Sequence, residues 1–149
     1  MLDAALGLVY IVTWSGRVLA IDAHSGSIRW DLHIPGGSES SPALSLQSGM
    51  LYLGSFAGYL YALDAATGSL TWRLKIGSAI TTSSVVVQAA SRDWVIAASQ
   101  EGNCLILDAL SSKQLHTWRF GELRAPPIVA NNVLYQASLG DQGLFALKL

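Results

Sequence analysis

Two stretches of this chain are near copies of one another. Residues 16–30 read GRVLAIDAHSGSIRW and residues 58–72 read GYLYALDAATGSLTW, identical at seven of fifteen positions. Most of the other positions exchange like for like, Val with Leu or Ser with Thr. The aspartates that end each apolar alternation, Asp22, Asp64 and Asp108, with Lys148 in the matching place, recur at intervals of 42, 44 and 40 residues. A period of about 40 residues belongs to a solenoid, a propeller or a similar array, whose units bury their apolar faces against one another.

The unit itself decides among these. Its segments are short, rich in β-branched and aromatic residues, and bounded by Gly, Ser and Asn, with no sustained helical stripe. Those are strand signals, and a unit of four short strands is a propeller blade. The predicted inner strands lie in SSPALSL (40–46), TSSVVVQ (82–88) and APPIVA (125–130). Second strands lie in LVYIVT (8–13), MLYLGS (50–55), WVIAAS (94–99) and VLYQAS (133–138). Third strands lie in RVLAID (17–22), YLYALD (59–64), NCLILD (103–108) and LFALK (144–148). Outer strands lie in SIRWDL (27–32), SLTWRL (69–74) and LHTWRF (115–120). The expected fold is all-β, an incomplete propeller of four-stranded antiparallel blades forming one domain over 1–149. Blade one is partial over 8–33, without an inner strand. Blade two covers 40–75 and blade three 82–120. Blade four is partial over 125–149, without an outer strand.

The repeated residues have physical roles. Gly16, Gly58 and Gly102 precede the third strand and allow a tight turn. Asp22 and Asp64 are placed to accept bonds from turn amides two or three residues on. Gly26 and Gly68 can take the positive φ that closes the turn into strand four. Ala20 and Ala62 are small where a large group must lie close. Trp30 and Trp72 fall at matching places on the outer strand, where an indole can fill the gap between adjacent sheets.

The spacing Ala-x-Asp-x-x-x-Gly-x-x-x-Trp resembles the tryptophan-docking motif of the pyrroloquinoline quinone (PQQ)-like β-propeller repeats. Ala20, Asp22, Gly26 and Trp30 match it fully, as do Ala62, Asp64, Gly68 and Trp72. The third copy departs from it, with Ile106, Asp108, Ser112 and Trp118 and two extra residues before the Trp. The last has Ala146 and Lys148. The resemblance covers essentially the whole chain and implies part of a ring of seven or eight blades.

Members of that family divide into quinoprotein dehydrogenases, which hold PQQ and calcium in the central funnel, and scaffolds without a cofactor. Among the scaffolds is an outer-membrane assembly lipoprotein that works beside a barrel insertase. Other members carry the repeats as an appendage to an adenylate-forming, aminoadipate-semialdehyde-dehydrogenase-like enzyme. The dehydrogenase type needs an oxygen cage for calcium, an aspartate base and often a vicinal Cys-Cys pair. This chain has one cysteine, Cys104, and its loop carboxylates Glu39, Glu101, Glu122 and Asp141 have no partner at ligand spacing. The expectation is therefore a non-catalytic scaffold or protein-interaction module within a larger propeller. It has no catalytic, cofactor-binding or metal residues, and PQQ with calcium is the alternative cofactor.

Other classes fall away. Nine Lys and Arg against ten Asp and Glu, with no basic cluster, do not make a nucleic-acid footprint. No apolar run reaches the roughly 18–20 residues of a membrane helix. A lone cysteine forms neither an internal disulfide nor a zinc site. Asp22, His24 and Ser25 hold triad residue types but read as a turn. GSFAG and GSES are turn glycines rather than a phosphate loop. His33 and His116 are expected to face solvent, Cys104 to be packed, and Trp14 to pack at the core or rim. The compartment stays open between cytoplasm, for a complete chain, and periplasm, for a segment of a longer one. The expected partners are a protein or the remaining blades. An open arc also exposes an apolar face and strand edges at each end, which invite self-association.

Overall fold

The computed structural model describes residues 1–88 and 92–149. Residues 89–91, inside the third blade's expected range of 82–120, lie outside the described residues. The described chain is all β, folded as four antiparallel sheets in sequence order. Sheet one joins β1 (Leu2–Asp3), β2 (Leu8–Val12), β3 (Arg17–Asp22) and β4 (Ile28–His33). Sheet two joins β5 (Ala43–Ser45), β6 (Met50–Gly54), β7 (Tyr59–Asp64) and β8 (Leu70–Lys75). Sheet three joins β9 (Val85–Gln88), β10 (Asp93–Ala98), β11 (Asn103–Asp108) and β12 (Gln114–Arg119). Sheet four has three strands, β13 (Ile128–Ala130), β14 (Val133–Ser138) and β15 (Gly143–Lys148). Each sheet is a meander. β5, β9 and β13 approach one another and form the inner side of an open arc of blades.

One sequence expectation is corrected. Blade one does have an inner strand, a short one, with Leu2 opposite Val9 and Asp3 opposite Leu8. Asp3 starts the turn that returns to β2, its carboxylate accepting the amides of Ala5 and Leu6 at 2.9 and 3.1 Å. The apolar run around it concealed this turn. The inner strands of the other blades are shorter than expected because side chains replace ladder bonds. Ser38 Oγ donates to the Gly54 carbonyl at 2.6 Å, and Ser40 Oγ accepts from the Gly54 amide at 3.3 Å.

There is no single core. Three apolar layers lie between successive sheets, and the second and third strands of a middle sheet feed two of them. On β6, Leu51 and Leu53 face sheet one, whereas Met50 and Tyr52 face sheet three. On β10, Val95 and Ala97 face sheet two, whereas Ile96 and Ala98 face sheet four. This explains the continuous apolar runs MLYLG and WVIAA, since a sheet covered on both faces needs no polar alternation. The end sheets alternate, with β15 half-buried and exposed by turns.

The two-sided burial sets an expectation for stability. Leu51→Ala removes a side chain with no exposed surface and should cost about 2–5 kcal/mol. Leu70→Ala on outer strand β8, where Leu70 is 50% exposed, should cost less than about 1 kcal/mol. Urea unfolding of the two variants measures the difference; equal costs would contradict the layered core.

Candidate interaction surface

The geometry that distinguishes this chain lies at the junctions between blades. In sheet one, Tyr10, Ala20 and Trp30 stand opposite one another across β2, β3 and β4. In sheet two, Tyr52, Ala62 and Trp72 repeat the row. Neighbouring strands run about 4.8 Å apart, so residues two strands apart are separated by about twice that. In both rows, however, the two rings close to 5.9 Å between centroids, leaning together over the small alanine. Directly after each alanine the register slips, a bulge that increases local twist.

Each aromatic pair then reaches the next blade. Tyr10 Oη and Trp30 Nε1 both donate to the Ala65 carbonyl at 3.0 Å. Tyr52 Oη and Trp72 Nε1 both donate to the Ala109 carbonyl, at 2.9 and 3.1 Å. Burial raises both phenols to about 12, so they remain protonated donors. The Trp30 indole lies over Gly68, where a Cβ would come within 2.7 Å of the ring. The motif residues of one copy therefore do not form one cluster: the tryptophan of a copy meets the glycine turn of the copy that follows. The tyrosines and the carbonyl acceptors were not singled out from the sequence. Their signal is there, since Tyr10 and Tyr52 share the 42-residue interval of the aspartates.

The aspartates end the third strands and hold the turns. Asp22 Oδ1 accepts the amides of His24 and Ser25 and the Ser25 hydroxyl, while Oδ2 pairs with Arg29 at 2.9 Å. The backbone bond from Ser25 leads the causes that hold this carboxyl well below the usual range. Asp64 binds Thr67 in the same way. Asp108 accepts the Ser111 hydroxyl and amide and pairs with Arg92, and its pKa is lowered, chiefly by Ser111. Ser112 occupies the place of Gly26 and Gly68 and takes the same left-handed backbone, φ 58 against 71 and 75.

The third junction is built differently. Its turn has the same length as the others, for Leu107 pairs Gln114 as Leu63 pairs Leu70. Trp118 lies two residues farther along the strand, opposite Cys104, and His116 faces Ile106 in the place of the earlier tryptophans. Ile96 replaces the tyrosine. The junction is an apolar layer containing Ile96, Ile106, Trp118 and Leu134, with Phe120 and Phe145 packed 4.9 Å apart. Cys104 is buried in this layer, and burial pushes its thiol up to about 12, so it is a packed residue.

The loop carboxylates are engaged locally. Glu101 accepts from Asn103 Nδ2, Glu122 pairs with Arg124, and Asp141 accepts the Gly121 amide and the Ser138 hydroxyl. Glu39 is exposed. Among the described residues no three His, Cys, Asp or Glu converge on a point that could hold a metal ion. A cavity on the inner side, of about 360 Å³, is lined by Leu44, Leu46, Val85, Val87, Gln88 and Val129, among others. The side chains that line it are aliphatic apart from Gln88, with no carboxylate among them. His33 and His116 are exposed. Trp14 is a rim residue, 70% exposed, with its ring 4.6 Å from Phe56.

Two predictions follow from the junctions. Tyr52→Phe and Trp72→Phe should each cost about 1 kcal/mol, and the double variant more than the sum, because the second loss strands a buried carbonyl. Trp72→Ala should cost about 3 kcal/mol or more and lower Tm well below that of Trp94→Ala. A double-mutant cycle in urea and a thermal scan are the measurements; additive effects, or equal Tm losses, would sink the docking account. Asp22 and Asp108, whose carboxyls are held below their usual range, set the pH dependence. A carboxyl with a depressed folded pKa contributes stability above its unfolded value of about 4 and loses it as pH falls through the folded one. The urea midpoint should hold from neutrality to about pH 5 and fall below about pH 4. Asp108→Asn should reduce that acid loss, and an unchanged profile would contradict the assignment.

Comparison with known proteins agrees with this geometry. Residues 3–149 match the family model for outer membrane protein assembly factor BamB. No curated protein matches the sequence. The crystal structure of BamB from Moraxella catarrhalis superposes with TM-score 0.80 at 21% identity, over 97% of this chain and 47% of that one. Saccharomyces cerevisiae Sqt1 superposes with TM-score 0.79 at 15% identity, over 100% of this chain and 45% of that one. A europium-containing methanol dehydrogenase superposes with TM-score 0.63 at 18% identity, over 76% of this chain and 23% of that one. The chain thus spans less than half the length of each of these proteins, and at these identities the likeness is one of fold. With the family model matched along nearly its whole length, this chain of PQQ-type blades belongs to the BamB family.

Proposed function

We propose that the chain is a non-catalytic propeller scaffold, a set of blades whose loops and rims dock other proteins. The observation that carries this reading is how the polar groups are used. The turn aspartates and three of the loop carboxylates accept hydrogen bonds inside their own turns or from the adjoining linker. The side chains along the inner groove are aliphatic apart from Gln88. Such a surface offers shape and apolar contact in place of acid–base chemistry. The family's description as an outer membrane protein assembly factor supports the same class of role, with other proteins as the partners. Trp14, exposed beside Phe56 at the rim, is the aromatic best placed to anchor a partner.

The rival is the quinoprotein type of the same fold. Titrating the chain with PQQ and calcium, read by absorbance and by Tm, separates the two. The expected result is no saturable change in either signal. A saturable shift in both, abolished by a chelator, would overturn the scaffold reading.

A further inference from the structure

Asp93 breaks the repeat at a place where two other blades carry no side chain. Its carbonyl accepts the Ala109 amide as the Gly49 carbonyl accepts that of Ala65 and the Gly7 carbonyl that of Ala23. Each of the three stands directly before the residue opposite its turn aspartate, Trp94 for Asp108, Met50 for Asp64 and Leu8 for Asp22. A Cβ on Gly7 or Gly49 would meet nothing within 4 Å. The third blade puts a carboxylate there, and Asp93 is only 4% exposed.

The carboxylate is half satisfied. Ser45 Oγ donates to Asp93 Oδ2 across the junction from the second blade. Ser45 Oγ in turn accepts the Ser48 amide at 3.0 Å and the Ser48 hydroxyl at 2.7 Å. The Tyr52 hydroxyl is committed to the Ala109 carbonyl, and Arg92 pairs with Asp108 at 3.1 Å. Asp93 Oδ1 is buried and has no hydrogen-bond partner among the described residues. A buried carboxylate oxygen without a donor is costly, and a ligand that brings one removes that cost. Asp93 also lines a cavity of about 250 Å³, whose other walls are Gln47, Ser48, Arg92, Ala109 and Leu110. Gln47 and Leu110 are exposed, so the cavity opens to solvent.

The walls define the ligand. An ionised carboxylate only accepts, so the group that meets Oδ1 must donate. Asp93 and Asp108 outweigh Arg92 in charge, which favours a cation. A hard divalent ion takes about six to eight oxygens, and no three His, Cys, Asp or Glu converge among the described residues. An ammonium needs fewer acceptors. Oδ1, the Ser48 hydroxyl and the Gln47 amide oxygen are of the kind it bonds. Ala109 and Leu110 give the cavity an apolar side on which an aliphatic stem can lie. We infer that this cavity binds the ammonium group of a lysine side chain carried by a partner protein. That the source is a protein rests on the scaffold reading; the ammonium chemistry rests on Asp93 alone.

The test is titration of the isotope-labelled chain with Nα-acetyl-lysine methylamide at constant ionic strength, followed by amide NMR shifts. Saturable shifts at Ser48, Asp93 and Leu110 are expected, and none with the Nε-acetylated form of the probe, which has lost the charge. Asp93→Asn keeps the shape and Asp93→Gly restores the residue of the other blades. Each should weaken binding by about tenfold to a hundredfold, with a cooperative thermal transition showing that the variant is folded. Arg92→Gln removes the competing cation and should tighten binding by about twofold to fivefold. No saturable shift would overturn the proposal and leave Oδ1 to solvent, and equal binding by Asp93→Gly would place the probe elsewhere. Binding of butylammonium without binding of the lysine derivative would overturn the protein source. Saturable binding of PQQ would overturn the scaffold reading and leave these shifts untouched, so the two readings fail separately.

Discussion

Every sheet in this protein is too small to stand alone, and that constraint organises the rest. Sheets of three or four short strands bury little unless something covers their faces. The chain supplies the cover by placing the next sheet against each face in turn. Two middle sheets therefore carry apolar side chains on both sides, while the end sheets alternate. Stability is distributed over junctions, and each junction depends only on its two neighbours.

The junctions solve a second problem. A turn that enters an apolar layer brings backbone carbonyls that have lost water, and each needs a donor. At the first two junctions one carbonyl takes two donors, a phenol and an indole, from the preceding blade. These bonds also fix the angular position of one blade on the next, which a purely apolar layer leaves to shape. The third junction relies on shape, with a phenylalanine pair and isoleucines in place of the two donors.

The chemistry left for function follows from this use of polar groups. Asp22, Asp64, Asp108, Glu101, Glu122 and Asp141 are occupied in holding turns and linkers, whereas Glu39, His33 and His116 are exposed. Cys104 is sealed in a layer. Accessible aromatic surface lies at the rim, where Trp14 stands beside Phe56.

Much of this was legible in the residues. The recurrence of Asp22, Asp64 and Asp108, the bounded apolar runs and the full motif copies determined the blade type and placed the second, third and outer strands to within a residue or two, because strand and turn chemistry are local. The inner strand at Leu2–Asp3 was not legible, since a turn begun by Asp3 lay inside an apolar run. Nor was the displacement of Trp118: sequence spacing suggested an insertion, whereas pairing showed an unchanged turn with the tryptophan two places along. Tertiary structure alone decided which carbonyl each indole reaches, because Ala65 and Ala109 lie 35 and 37 residues from their donors and come near only when the sheets pack. It also decided that Gly26, identical in the motif to Gly68, stands uncovered. The sequence determined the repeating unit, through forces acting over a few residues. The contacts between units were decided by packing, because a repeat does not state which of its copies has a neighbour.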